Sequence, residues 1–296
     1  MGSTATIIIG DGPEPLVQWV TDELGRLEQC WSRFRPDSEL SELNESDGRW
    51  FPMSADLALA VDRAMSLHWM TSGLFDPTMH DRIAELGYDR TFREIDADST
   101  RSIPRGHPSR GPVGVEIDGN YIRLPAGAKL DLGGVGKGLA ADLVADGLLE
   151  RGATSACVSM GGDVRAAGVT PNARGWDIPV DDPIVAGRSF GTVPLRDAAI
   201  VTSTTRIRRW QRGGPTVHHL IDPRSGYSSD TGIEAAVVRA EQAWLAEGLA
   251  KAAVIAGEEL GLRLLGAADV DGWLVRSDSS VVTTTDAPAF VPRSAS

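Results

Sequence analysis

Residues Lys129–Gly168 read KLDLGGVGKGLAADLVADGLLERGATSACVSMGGDVRAAG. A short apolar strand runs into a glycine-rich turn carrying Asp131 and Lys137. A helix over 134–149 follows, stopped by Gly152. Strands over 154–159 and 164–168 then flank a second glycine turn that ends in an acid, Gly161-Gly162-Asp163. A helix followed by two adjacent strands breaks the regular βαβ alternation and points to an α+β fold. Glycines let a backbone approach a phosphate or a ring closely, and the amides that open a helix favour anions. A phosphate-bearing ligand is one reading. Tight strand–turn–helix packing without a ligand is the other. The stretch is not a P-loop: that motif needs glycine five positions before Gly136 and a hydroxyl after the lysine, where this chain has Asp131 and Gly138.

Outward from this stretch, residues 4–9 read as a strand and 13–34 as a helix with Leu16, Val20, Leu24, Leu27 and Trp31 on one stripe. Ser54 is placed to N-cap a helix that runs to about 72 and stops at Gly73. Asp76-Pro77 reads as the start of another short helix. Residues 101–112, rich in Arg, Pro and Gly, read as a loop, and 115–125 as a hairpin around Asp118-Gly119-Asn120. Further strands are expected over 193–201 and 216–221. Helices are expected over 241–256, closed by Gly257, and over 258–265, and a last hairpin over 269–276 and 280–284. Residues 1–286 form the expected domain, and 287–296 a frayed tail.

The 296 residues fit one large domain or two intimate ones, and 42% apolar content supports a real core. A net charge of −12 argues against nucleic acid and anionic membranes as partners. No apolar run reaches transmembrane length and the start lacks a basic, apolar leader, so the expectation is a cytoplasmic protein. Cys30 and Cys157 lie in apolar-periodic settings and read as small core residues without a disulfide framework. Lysine is scarce: Lys129, Lys137 and Lys251 are the three in the chain, and Arg carries the remaining positive charge. A lone ammonium against that background suits a compact point charge with a specific task.

DLGGVGKG (131–138), followed about twenty residues later by SMGGDVRAAG (159–168), resembles the ApbE-type FAD:protein FMN transferases. Four other segments resemble that family in the same order: the Met1-Gly2-Ser3-Thr4 start, WSRFRPDSELSELN (31–44), GLFDPTM (73–79) and HLIDPRSG (219–226). The resemblance implies a single ApbE-like, T-fold-related domain with mixed or antiparallel sheets and packed helices. It implies transfer of FMN from FAD to a Ser or Thr of an acceptor protein with release of AMP, the acceptor carrying a D-x-x-[ST]-G-A-[ST]-type segment. Carried over by position, Met1, Phe34, Leu74, Phe75, Asp76, Asp131, Lys137 and Ile221 would contact FAD. His219, helped by Asp222, would take the acceptor proton, since histidine side chains titrate near neutral pH. A hydrolase triad of Ser203, His219 and Asp222 lacks a nucleophile elbow.

Two departures stand against the family pattern. The family holds a divalent cation through an Asp and, four residues on, a Thr or Asp of a late helix, with a carbonyl of the glycine turn. The corresponding metal ligands here would be Gly134 and Glu247, but Lys251 occupies the remaining position, and a charged ammonium has no lone pair for Mg²⁺. VTSTT (201–205) stands where relatives carry T-S-G-D. A metal-poor site admits two rivals: an FAD-binding protein without transferase activity, and an FAD pyrophosphatase giving FMN and AMP.

Overall fold

A computed structural model describes residues 3–169 and 175–291. In chain order the elements are β1 (Ala5–Ile9), α1 (Leu16–Trp31), α2 (Glu39–Asn44), β2 (Phe51–Pro52), α3 (Ala55–Met70), α4 (His80–Glu85), β3 (Asp98–Ser99), β4 (Glu116–Asp118), β5 (Tyr121–Arg123) and α5 (Gly136–Glu150). They continue with β6 (Ser155–Met160), β7 (Asp163–Gly168), β8 (Trp176–Asp181), β9 (Ser189–Leu195), β10 (Ala198–Thr204), β11 (Arg209–Arg212), β12 (Thr216–His218), β13 (Ile221–Asp222), β14 (Tyr227–Ser228) and β15 (Ile233–Ala240). Last come α6 (Ala243–Ala256), α7 (Glu258–Ala267), β16 (Asp271–Arg276) and β17 (Val281–Thr283). The fold is α+β, as expected. The described residues divide into two compact units: those within Gly25–Gly136 and Ile207–Asp230 form the first, and those within Ser3–Leu24, Lys137–Arg206 and 231–291 the second.

The second unit is built on a seven-stranded sheet in the order β1-β6-β7-β10-β15-β16-β17, antiparallel at every pairing. The turn Gly161-Gly162 joins β6 to β7, and both glycines take positive φ, 65° and 99°, which residues with a Cβ rarely adopt. Helix α6 packs on β10 and β15. Its Ala-rich sequence lets the helix lie close to the sheet, and most of its residues are buried. Cys157, Ile200, Val237 and Trp273 anchor an apolar cluster of this unit. Asp142 of α5 accepts the Ala243 and Trp244 amides at 2.8 and 3.0 Å, capping α6 from another helix.

The first unit holds the C-terminal part of α1, helices α2 to α4 and the small sheets β2-β5-β4, β12-β11-β3 and β13-β14. Ser54 caps α3 through the Leu57 amide at 3.2 Å, as its position predicts. The β4–β5 hairpin forms around Asp118-Gly119-Asn120 as read from the sequence.

Several expectations are corrected. The strand expected over 193–201 is two strands, β9 and β10, broken where Asp197 takes φ +40°. β9 pairs with β8, and β10 pairs with β7 and β15. β15 itself was not expected: IEAAVVRA is a buried central strand whose alanines blur the β signal. Helix α4 begins after Met79, not at Asp76, because the Asp76 carboxylate accepts the Thr78 amide and hydroxyl at 2.8 and 2.7 Å in a local turn. The expected strand 216–221 is interrupted between β12 and β13. His218 causes the break: its Nδ1 accepts the Leu220 amide at 3.3 Å, which leaves Nε2 to donate to the Ser229 carbonyl at 3.0 Å. Of the expected tail, residues 287–291 are held: Phe290 stacks on Trp273 and Phe190, and Val291 bridges to Thr192. Residues 292–296 lie outside the described residues. No helix among the described residues is long and apolar enough to cross a membrane.

Candidate functional site

In the first unit, Asp131 closes a tight turn. Its Oδ1 accepts the Gly133 amide at 2.7 Å, and a Cβ on Gly133 would lie 2.9 Å from that oxygen. The other oxygen, Oδ2, lies 3.2 Å from the Arg33 Nε. The Arg33 guanidinium sits 4.1 Å above the Phe34 ring and 4.6 Å above that of Tyr88, and it donates to the Tyr88 carbonyl at 2.8 Å. Phe34 packs against the cluster that contains Tyr88, Trp210 and Ile221. Asn44 grips Leu130 from both sides, its amide donating to the carbonyl at 2.9 Å and its oxygen accepting the N–H at 2.8 Å. That pair fixes the backbone one residue before Asp131. The Asp131 amide in turn donates to the Pro77 carbonyl at 2.7 Å, which brings the segment 73–79 to the same turn.

Phe34, Asp131 and Ile221 therefore belong to one layer of this unit. Leu74 and Phe75 are buried, and the Phe75 backbone is held by Thr71 and His68. A cleft of about 300 Å³ is lined among others by Arg33, Phe34, Asn44, His80, Arg90 and Lys129. Arg33 and Tyr88 escaped the sequence reading. Arg33 could have been found from its place beside Phe34 in the 31–44 signature, whereas nothing in the sequence around Tyr88 marks it. Met1 lies outside the described residues.

His219 is half-buried at the break between β12 and β13, and its amide donates to the Arg208 carbonyl at 3.2 Å. The Asp222 carboxylate accepts Arg224 Nε and Nη2, each at 2.9 Å, and the Arg224 amide. Its carbonyl accepts the Ser225 and Gly226 amides of the following turn.

In the second unit, Lys137 stands at the start of α5 and donates to both Asp163 and Glu247. Lys251, one turn after Glu247 on α6, donates to Glu247 Oε1 at 2.8 Å. Glu247 Oε2 accepts the Gly138 amide at 2.8 Å. Glu247 is fully buried and Asp163 nearly so. Burial alone would raise the Glu247 pKa, but Lys137 and Lys251 outweigh it and hold the carboxyl well below the ordinary range. Burial also disfavours the charged Lys137, yet Asp163 and Glu247 push its pKa above the ordinary lysine value. Burial raises Asp163 against the pull of Lys137, and burial lowers Lys251 despite Glu247. Asp163 is the acid after the second glycine turn, and the structure makes it a partner of Lys137. The Thr205 hydroxyl donates to the Glu234 carboxylate, so the variant VTSTT stretch is tied to β15.

These donors do not fit a divalent cation. Mg²⁺ requires about six oxygens in octahedral array. Glu247 presents both oxygens to ammonium and amide donors, and Asp163 presents one to Lys137. No cluster of three metal-binding side chains occurs among the described residues. Gly134 lies in the first unit, in the turn after Asp131, and Glu247 in the second.

A family model described as the ApbE family matches residues 1–273. The chain is 28% identical over 235 residues to an FAD:protein FMN transferase of Vibrio cholerae, covering 78% of this chain and 70% of that protein. It is 29% identical over 260 residues to an FAD:protein FMN transferase of Treponema pallidum, covering 82% of this chain and 71% of the relative. Among solved structures it is similar to the apo form of the flavinyl transferase ApbE of Pseudomonas stutzeri, with a TM-score of 0.81 and 27% identity over 96% of this chain and 92% of that one. The ApbE protein of Thermotoga maritima shares the fold, with a TM-score of 0.82 at 23% identity over 96% of this chain and 94% of that one.

Proposed function

The chain belongs to the ApbE family, and from that membership we propose that it is an FAD:protein FMN transferase, moving FMN from FAD to a Ser or Thr hydroxyl of an acceptor protein. The observation that carries the proposal is the family match across residues 1–273, with relatives of that name over most of the chain. The reaction forms a bond from the acceptor oxygen to the FMN phosphorus. It breaks the pyrophosphate bond, so that AMP leaves with the bridging oxygen and the hydroxyl proton passes to a base.

The chemistry asks for ring packing, phosphate neutralisation and a base. Phe34 offers an aromatic face, and Asp131 retains lone pairs beyond those used by Arg33 and Gly133 for a ribose hydroxyl or an amine. Lys137 is a fixed cation for a phosphate. His219, helped by Asp222 three residues on, takes the acceptor proton, and Leu74, Phe75, Asp76 and Ile221 shape the surroundings. The acceptor hydroxyl lies in a D-x-x-[ST]-G-A-[ST]-type segment. Incubation with FAD, with and without a protein bearing such a segment, tests the proposal. AMP formed together with a flavinylated protein supports it. AMP with free FMN identifies a pyrophosphatase, and unchanged FAD identifies a binder.

A further inference from the structure

Lys137, Asp163, Glu247 and Lys251 form a closed set of charges in the second unit. Two carboxylates face two ammonium groups, so the set is neutral. The Lys137 and Lys251 side chains remain 13% and 14% exposed, whereas the Glu247 side chain is wholly buried. A divalent cation placed on Glu247 would sit directly against two ammonium groups, which is unfavourable at short range. It would also have to displace the donors that hold Glu247. Each ammonium has three N–H donors. Lys137 uses two of them on Asp163 and Glu247, and Lys251 uses one on Glu247. Donors therefore remain for an outside anion.

We propose that Lys251 takes the place of a divalent cation in this chain, so that with Lys137 it forms a built-in cationic pair that meets a nucleotide pyrophosphate without metal. The nucleotide half of this rests on the function proposed above, and the metal half does not. The spacing makes the device simple: one turn of α6 puts the ammonium on the carboxylate that would otherwise be a ligand.

The test titrates Mn²⁺ into the nucleotide-free protein by calorimetry and electron paramagnetic resonance, for wild type, Lys251→Asp and Lys251→Met. Wild type should show no saturable binding and no shift in melting temperature on adding Mg²⁺ or a chelator. Lys251→Asp, which reverses the charge and supplies an oxygen ligand, should gain saturable, one-to-one Mn²⁺ binding that wild type lacks. FAD affinity, read by fluorescence quenching, should be the same for wild type in Mg²⁺ and in excess chelator. In chelator it should fall at least about tenfold in Lys251→Met, the usual weight of a charged hydrogen bond. Stoichiometric Mn²⁺ binding to wild type overturns the proposal even if neither variant folds. So does a wild-type FAD affinity that collapses in chelator, or a folded Lys251→Met that binds FAD as wild type does. No FAD binding under any condition contradicts the proposed function and the nucleotide half together, and the Mn²⁺ titration of wild type still decides the metal half.

Discussion

Glu247 shows how much one side chain settles. Its carboxylate is buried and takes two ammonium groups and an amide, so Glu247→Gln strands two cations with Asp163 alone. Breaking a buried pair of this kind costs about 3–5 kcal/mol. Because its folded pKa is depressed, the stability that Glu247 contributes by ionising is present above the ordinary glutamate value of about 4.3. It is lost as pH falls through the folded value. Urea unfolding of both proteins across pH should therefore show a gap that is wide at pH 7 and narrows in acid; a gap independent of pH would contradict this pairing. His219→Ala should leave FAD binding intact and slow transfer by ~10²–10⁴, the range for loss of a general base. Transfer at the wild-type rate would place the base elsewhere. The sequence alone made Lys137, Glu247 and Lys251 legible through spacing and scarcity. It could not show that Asp222 turns to Arg224, since local turn geometry decides that contact, nor that Arg33 covers Asp131 and Phe34 at once.

At the scale of elements, α5 and α6 meet where Gly138 lies against the first turn of α6. A Cβ on Gly138 would stand 2.6 Å from the Trp244 nitrogen, inside backbone that cannot move aside. In an exposed helix, replacing Gly by Ala stabilises by about 1 kcal/mol. Here the sign reverses: Gly138→Ala should destabilise by roughly 1–3 kcal/mol through overpacking, and it should disturb the amide that holds Glu247. Thermal unfolding with calorimetry checks this, and an unchanged or raised melting temperature would contradict the close crossing. The helices were legible in the sequence because caps and apolar stripes mark them, as at Ser54 and Gly257. β15 was not, because its alanines carry little strand signal and its burial comes from neighbours distant in sequence. The boundary between β9 and β10 was hidden for a related reason: a single Asp at positive φ ends one strand and begins the next.

At the scale of the whole molecule, the sequence order of five short segments indicated the family, and the fold agrees with solved structures over nearly the full chain. The division into two units was not legible, because the chain passes from one to the other several times and no linker composition marks the crossings. The residues proposed for FAD are likewise scattered along the sequence, from Phe34 through Asp131 and Lys137 to Ile221. Removing Lys137 should weaken FAD binding without unfolding the first unit's cluster around Tyr88 and Trp210. Lys137→Met, followed by FAD titration and by tryptophan fluorescence, checks that expectation, and unchanged FAD affinity would contradict the phosphate role. The central claim is flavin transfer, and intact-mass spectrometry tests it most directly. A carrier protein bearing a D-x-x-[ST]-G-A-[ST] segment is incubated with the enzyme and FAD while AMP is quantified in the same sample. The account predicts a carrier heavier by one FMN phosphoester and one AMP released per modified carrier. An unmodified carrier, with FAD either intact or split to free FMN and AMP, would contradict it.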